Sequence, residues 1–111
     1  MSHPTTVRLA KRLTEVAPSG LHHVFFSDSG ASAIEVALKM AFQYWRQCEI
    51  PQPQKNKYLA FENAYHGDTL GSVSVGGVAR FHEMFSPLLF EVIRAPAPDA
   101  NRLPPGIGPA Q

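Results

Sequence analysis

Only one cysteine, Cys48, occurs in the 111 residues, so no disulfide can close within the chain and nothing in it indicates an oxidising compartment. An excess of either charge is also missing. Ten Lys and Arg stand against nine Asp and Glu, a net +1, which lays out no electrostatic footprint for nucleic acid or an anionic membrane. No apolar run approaches the ~20 residues of a membrane span, and the N-terminus lacks the apolar core of a secretory leader. A cytoplasmic location is therefore expected. Charged residues make up 17% and hydrophobic ones 44%, which suits a folded segment and not a disordered one. The signatures G-x-x-x-x-G-K-[ST] and G-x-G-x-x-G are both absent, which excludes a P-loop and a dinucleotide fingerprint.

Proline is in generous supply. Five of the ten prolines (Pro96, Pro98, Pro104, Pro105 and Pro109) fall at the end of the chain with Gly106 and Gly108, so 96–111 is expected to be an extended tail that neither helix nor central strand can continue. Upstream, 5–17 spaces Val7, Ala10, Leu13 and Ala17 three to four apart, the pattern of an amphipathic helix stopped by Pro18 and Gly20. Val24–Phe26 reads as a short buried strand ending at the turn Ser27-Asp28-Ser29-Gly30. A second helix is predicted over 31–47. Glu35, Lys39 and Gln43 form a polar stripe on it, with Glu35 oriented to pair with Lys39. Its remaining positions are almost all apolar, and a helix apolar nearly all round is normally covered by protein on most sides. The few other elements are too small to cover it, so the chain reads as part of a larger domain. Lys57–Phe61 is the next strand, a short helix or turn with Thr69 and Leu70 follows before Gly76-Gly77 breaks the chain, Phe81–Phe85 is a further helical turn, and Phe90–Ala95 a third strand. The order implies an α/β segment with parallel strands and right-handed crossovers.

Two turns have the composition for chemistry. At Asp28–Ser32 a strand runs into a helix, whose first amides lack internal partners and attract anions; Gly30 lets an anion approach the backbone, and Ser29 or Ser32 adds a hydroxyl. Plain capping of the helix by Asp28 or Ser29 explains the same residues. The second turn, Tyr65-His66-Gly67-Asp68, follows the next strand at the same sheet edge, where ligands of open α/β sheets bind. Tyr65 could stack on a planar ligand there, or simply pack while Asp68 caps the following helix. His66 and Asp68 have no third ligand at suitable spacing, so no metal site is expected. Around Ser74, the G-x-S-x-G nucleophile pattern fails because Ser72 stands where its first glycine belongs.

Phe25–Ala31, the helix Ala33–Trp45 with its LKMAFQYW ending, and Asn63–Gly71 with its YHGDT core together resemble the class III pyridoxal-phosphate aminotransferases. The likeness runs from about Ser2 to Pro98. The helix resembles most the branch that aminates 8-amino-7-oxononanoate in biotin biosynthesis; SGASAIE stands where the ornithine and 4-aminobutyrate branches usually read more like SGTEANE.

The resemblance implies a partial fold-type I large domain over 1–95, a mostly parallel sheet with flanking helices, in a homodimer. It implies pyridoxal 5'-phosphate as cofactor, with Gly30 and Ala31 at the phosphate and Tyr65 against both the pyridine ring and the substrate. Many relatives carry serine where Ala31 stands, so here the backbone amide is left to make that contact. Small-molecule substrates are implied, with S-adenosylmethionine the usual amino donor and lysine the alternative. The lysine that bonds the cofactor, the aspartate facing the pyridine nitrogen and the carboxylate-binding arginine all lie beyond residue 111 in the family. Lys11, Lys39, Lys55 and Lys57 match none of these places. No catalytic residue is therefore assigned, and the 111 residues alone are expected to be inactive. Another class III aminotransferase, or a non-catalytic phosphate-binding α/β module, are the competing readings.

Overall fold

Pro4 opens the first helix, α1 (Pro4–Val16), where its missing N–H costs nothing, and His3 Nδ1 accepts from the Thr5 amide at 3.2 Å as the N-cap. These are features of a computed structural model in which residues 3–99 are described; most of the proline-rich tail lies outside them. Despite its amphipathic pattern α1 buries no side chain, and Val7 and Val16 are exposed.

Two expectations require correction at the next segment. Val24–Phe26 is no strand: the sheet of the described residues has two strands, and this stretch joins neither. Nor is it buried, with Phe25 69% exposed. A run rich in β-formers becomes a strand only where a partner supplies the ladder, and local propensity cannot create one. The second helix, α2 (Gly30–Gln47), forms as predicted, yet none of its side chains is buried either.

After the loop 48–57 comes β1 (Tyr58–Phe61). The chain then crosses through α3 (Leu70–Val75), α4 (Ala79–His82) and a 3₁₀ turn at Ser86–Leu88 to β2 (Val92–Ala95), which begins two residues later than the sequence pattern suggests. The strands are parallel, with Tyr58 opposite Val92 and Phe61 opposite Ala95, and Glu62 N–H extends the ladder to Ala95 O at 2.9 Å. The fold class is thus α/β with a small parallel sheet and flanking helices.

The core lies where α3 packs between α2 and β1. Ala60, Val73 and Val75 are its buried apolar residues, and the Ser72 and Ser74 hydroxyls are buried beside them. Both hydroxyls are satisfied. Ser72 Oγ donates to Thr69 O, while Ser74 Oγ donates to Leu70 O and accepts from Phe90 N–H. Arg94 on β2 donates to the carbonyls of Ser74 and Val75 at 2.7 and 3.2 Å, placing a cation at the negative end of α3. Tyr58 Oη donates to Leu38 O at 2.6 Å and ties β1 to α2.

Candidate functional site

The start of α2 is built from its cap. Ser29, in extended conformation, accepts from Ser32 N–H at 3.1 Å through Oγ, and its carbonyl takes Ala33 N–H at 3.0 Å. Capping by Ser29 is therefore real, but it uses only two of the first four amides. The N–H groups of Gly30 and Ala31 have no hydrogen-bond partner among the described residues. No acidic residue occupies the first turn. Asp28, just before it, is held below the usual carboxylate range, chiefly by the Ser32 hydroxyl and next by its own N–H. A Cβ built at Gly30 would meet no described residue within 4 Å, so the space beside Gly30 is open.

The second turn comes against the first. Gly67, at φ +118°, allows the chain to fold onto α2, where a Cβ on it would lie 2.5 Å from Ala31 Cβ. Gly30, Ala31, Ile34, Tyr65, His66, Gly67 and Asp68 consequently line one recess of about 540 Å³. Tyr65 is 59% exposed in it, and its hydroxyl donates to Asp68 Oδ2 at 2.8 Å. That bond is the largest of the effects holding the phenol above its ordinary pKa. Asp68 is engaged by Tyr65, and Thr69, not Asp68, stands at the N-cap of α3.

Thr69 makes no side-chain capping bond to α3. Its place is taken by Glu35, which sequence reading assigns to Lys39. Glu35 Oε1 accepts from Gly71 N–H at 2.7 Å, from Ser72 N–H at 3.2 Å and from Thr69 Oγ1 at 2.5 Å. The Thr69 hydroxyl foremost, then the Ser72 and Gly71 amides, hold this carboxyl below its ordinary pKa against the opposing effect of burial. One signal in the sequence was available: Gly71 is a poor helix former inside α3, and a Cβ there would collide with the Glu35 carboxylate.

A larger recess of about 770 Å³ lies along α2 between Leu38, Phe42, Arg46, Tyr58 and Phe90. It contains neither an unpartnered helix terminus nor the Tyr65 turn. Among the described residues, both features that suit an anionic, planar ligand occur together only at the recess lined by Gly30 and Tyr65, and we place the candidate site there.

The model of the aminotransferase class-III family matches residues 1–105. The chain belongs to that family. Curated relatives include two adenosylmethionine-8-amino-7-oxononanoate aminotransferases. The one from Geobacter sulfurreducens is 54% identical over 106 residues, covering 96% of this chain and 23% of the relative. The one from Nitratidesulfovibrio vulgaris is 53% identical over 104 residues, covering 94% and 19%. Among solved structures, a PLP-bound amine transaminase from an uncultivated Pseudomonas species superposes with a TM-score of 0.80 at 37% identity, over 94% of this chain and 23% of that one. Class III aminotransferases depend on pyridoxal phosphate. The chain spans about a fifth of the length of the curated relatives it matches.

Proposed function

We propose that this chain contributes part of the pyridoxal-phosphate site of an aminotransferase that aminates 8-amino-7-oxononanoate to 7,8-diaminononanoate in biotin biosynthesis, with S-adenosylmethionine as the amino donor. The observation that carries the reading is the single recess where two unpartnered amides at the start of an 18-residue helix face the turn bearing Tyr65. Gly30 and Ala31 N–H hold the cofactor phosphate, aided by the positive end of the α2 dipole. Open space at Gly30 leaves room for it. Tyr65 supplies the face against which the pyridine ring and the substrate rest, oriented by its bond to Asp68. Pyridoxal phosphate, when bound, supplies the electron sink for amino transfer, and this chain's residues grip and orient it.

The names of the two relatives support the substrate and the donor. No helix of the described residues is long and apolar enough to cross a membrane, and the charge balance offers no nucleic-acid surface. We place the enzyme in the cytoplasm as a homodimer acting on small molecules, with residues 1–95 in its cofactor-binding large domain and 96–111 as an extended tail.

The test uses the complete protein. Purified with cofactor, it is expected to aminate 8-amino-7-oxononanoate from S-adenosylmethionine. Gly30→Val is expected to lose the cofactor while keeping its helix content, and Tyr65→Ala to bind it about ten-fold more weakly or worse, the scale of one lost aromatic stacking contact. Full cofactor occupancy in Gly30→Val would reduce the α2 terminus to a plain cap. Transfer to simple ketones without transfer to 8-amino-7-oxononanoate would move the enzyme to another branch of class III.

A further inference from the structure

We infer that Glu35 is a positioning residue for the cofactor site, holding the Tyr65 turn at its working distance from the amides of Gly30 and Ala31. The inference rests on the pyridoxal-phosphate reading above and adds a residue to it.

The site has two halves from distant parts of the sequence, and their relative placement depends on what joins them. Between Ala31 and the 65–68 turn the close approach is Gly67 against Ala31, a contact without a directional bond. The directional bonds come from Glu35, one turn further along α2. Its Oε1 receives the Thr69 hydroxyl and the Gly71 and Ser72 amides, which directly follow the Tyr65–Asp68 turn. The two amides are those an N-cap side chain would ordinarily satisfy. Because α3 lacks such a cap of its own, it is capped from α2, and its start is registered to the helix that carries the free amides. Tyr65 is in turn tied to Asp68, immediately before Thr69. Removing the carboxylate would leave the fold of α2 in place and release the 65–72 segment from it. Glu35 does not line the recess and is not catalytic.

All three bonds converge on one oxygen, so a glutamine carbonyl can replace it. The experiment compares the complete protein with Glu35→Ala, Glu35→Gln and Gly30→Val. It measures the dissociation constant for pyridoxal phosphate, the visible absorption and circular dichroism of the bound cofactor, and exchange protection of the Gly71 and Ser72 amides without cofactor. Expected are a loss of about ten-fold or more in affinity with a changed dichroic band for Glu35→Ala, recovery to within about three-fold for Glu35→Gln, and lost amide protection in Glu35→Ala alone. Three results would overturn the inference. Glu35→Ala with unaltered affinity and dichroism makes Glu35 merely a structural cap. Glu35→Gln as weak as Glu35→Ala removes the geometric role, because glutamine keeps an acceptor oxygen at the same place. A complete protein that binds no cofactor, or a Gly30→Val variant that binds it fully, overturns the site reading itself and this inference with it.

Discussion

Three glycines divide by what surrounds them. At Gly30 no described residue lies within 4 Å of a built Cβ, so intolerance of a small side chain there points to a ligand. Gly67 needs its positive φ and its closeness to Ala31 for the two turns to meet. Gly77 is enclosed by backbone: a Cβ would strike Asn63 N and lie 2.7 Å from Phe61 O and 2.8 Å from Glu62 C. Backbone bonds Asn63 N–H to Gly77 O and Gly77 N–H to Ala64 O lock this approach, so no flexible side chain can yield. Gly77→Ala is expected to cost about 1–3 kcal/mol, the range for overpacking a close contact. Chemical denaturation of the complete protein measures it. The same experiment on Gly30→Ala should show less than about 0.5 kcal/mol, as at an unconstrained surface position.

At the level of elements, α3 is short and depends on its neighbours at both ends. Glu35 satisfies its first amides and Arg94 its last carbonyls. A helix of six residues is too short to persist by propagation, so these bonds and its burial sustain it. They also give it a pH dependence whose sign follows from the lowered pKa of Glu35, caused mainly by the Thr69 hydroxyl. A carboxyl with a lower pKa folded than unfolded binds fewer protons when folded. Its stabilisation is complete above the unfolded value of about 4.3 and disappears as pH falls through the folded value. The complete protein should therefore exceed Glu35→Gln in stability at neutral pH, and acidification below about pH 4 should narrow that difference. Denaturation midpoints of both proteins across that range provide the check. A difference independent of pH would mean that the charge on Glu35 contributes nothing.

Taken together, the described residues leave many of their large apolar side chains exposed. Met40 and Tyr44 on α2, Leu59 on β1 and Ile93 on β2 are each more than half exposed, and two strands leave sheet edges unpaired. Expressed alone, residues 1–111 are expected to self-associate and to show no amino transfer, because exposed apolar patches and open edges both promote association. Sedimentation and an activity assay test this. A monomeric 111-residue chain with cooperative unfolding and measurable transamination would refute it.

Local chemistry in the sequence determined α1, α2, β1 and the glycine break at Gly76-Gly77, and left the segment before that break as a helix or a turn, since helix propensity, caps and breakers act within a few residues. The same local signals picked out the Gly30 and Tyr65 turns, whose composition suits anions and planar ligands before any fold is known. Tertiary structure decided the rest. It left Val24–Phe26 unpaired, because a strand is made by its neighbour and not by its own side chains. It brought Ala31 against Gly67, thirty-six positions away, through a backbone conformation that only the folded contact demands. It turned Glu35 away from Lys39 toward the open amides of α3. An exposed ion pair gains little in water, whereas amides left without acceptors in a partly buried helix end are costly, and the carboxylate goes where three donors meet.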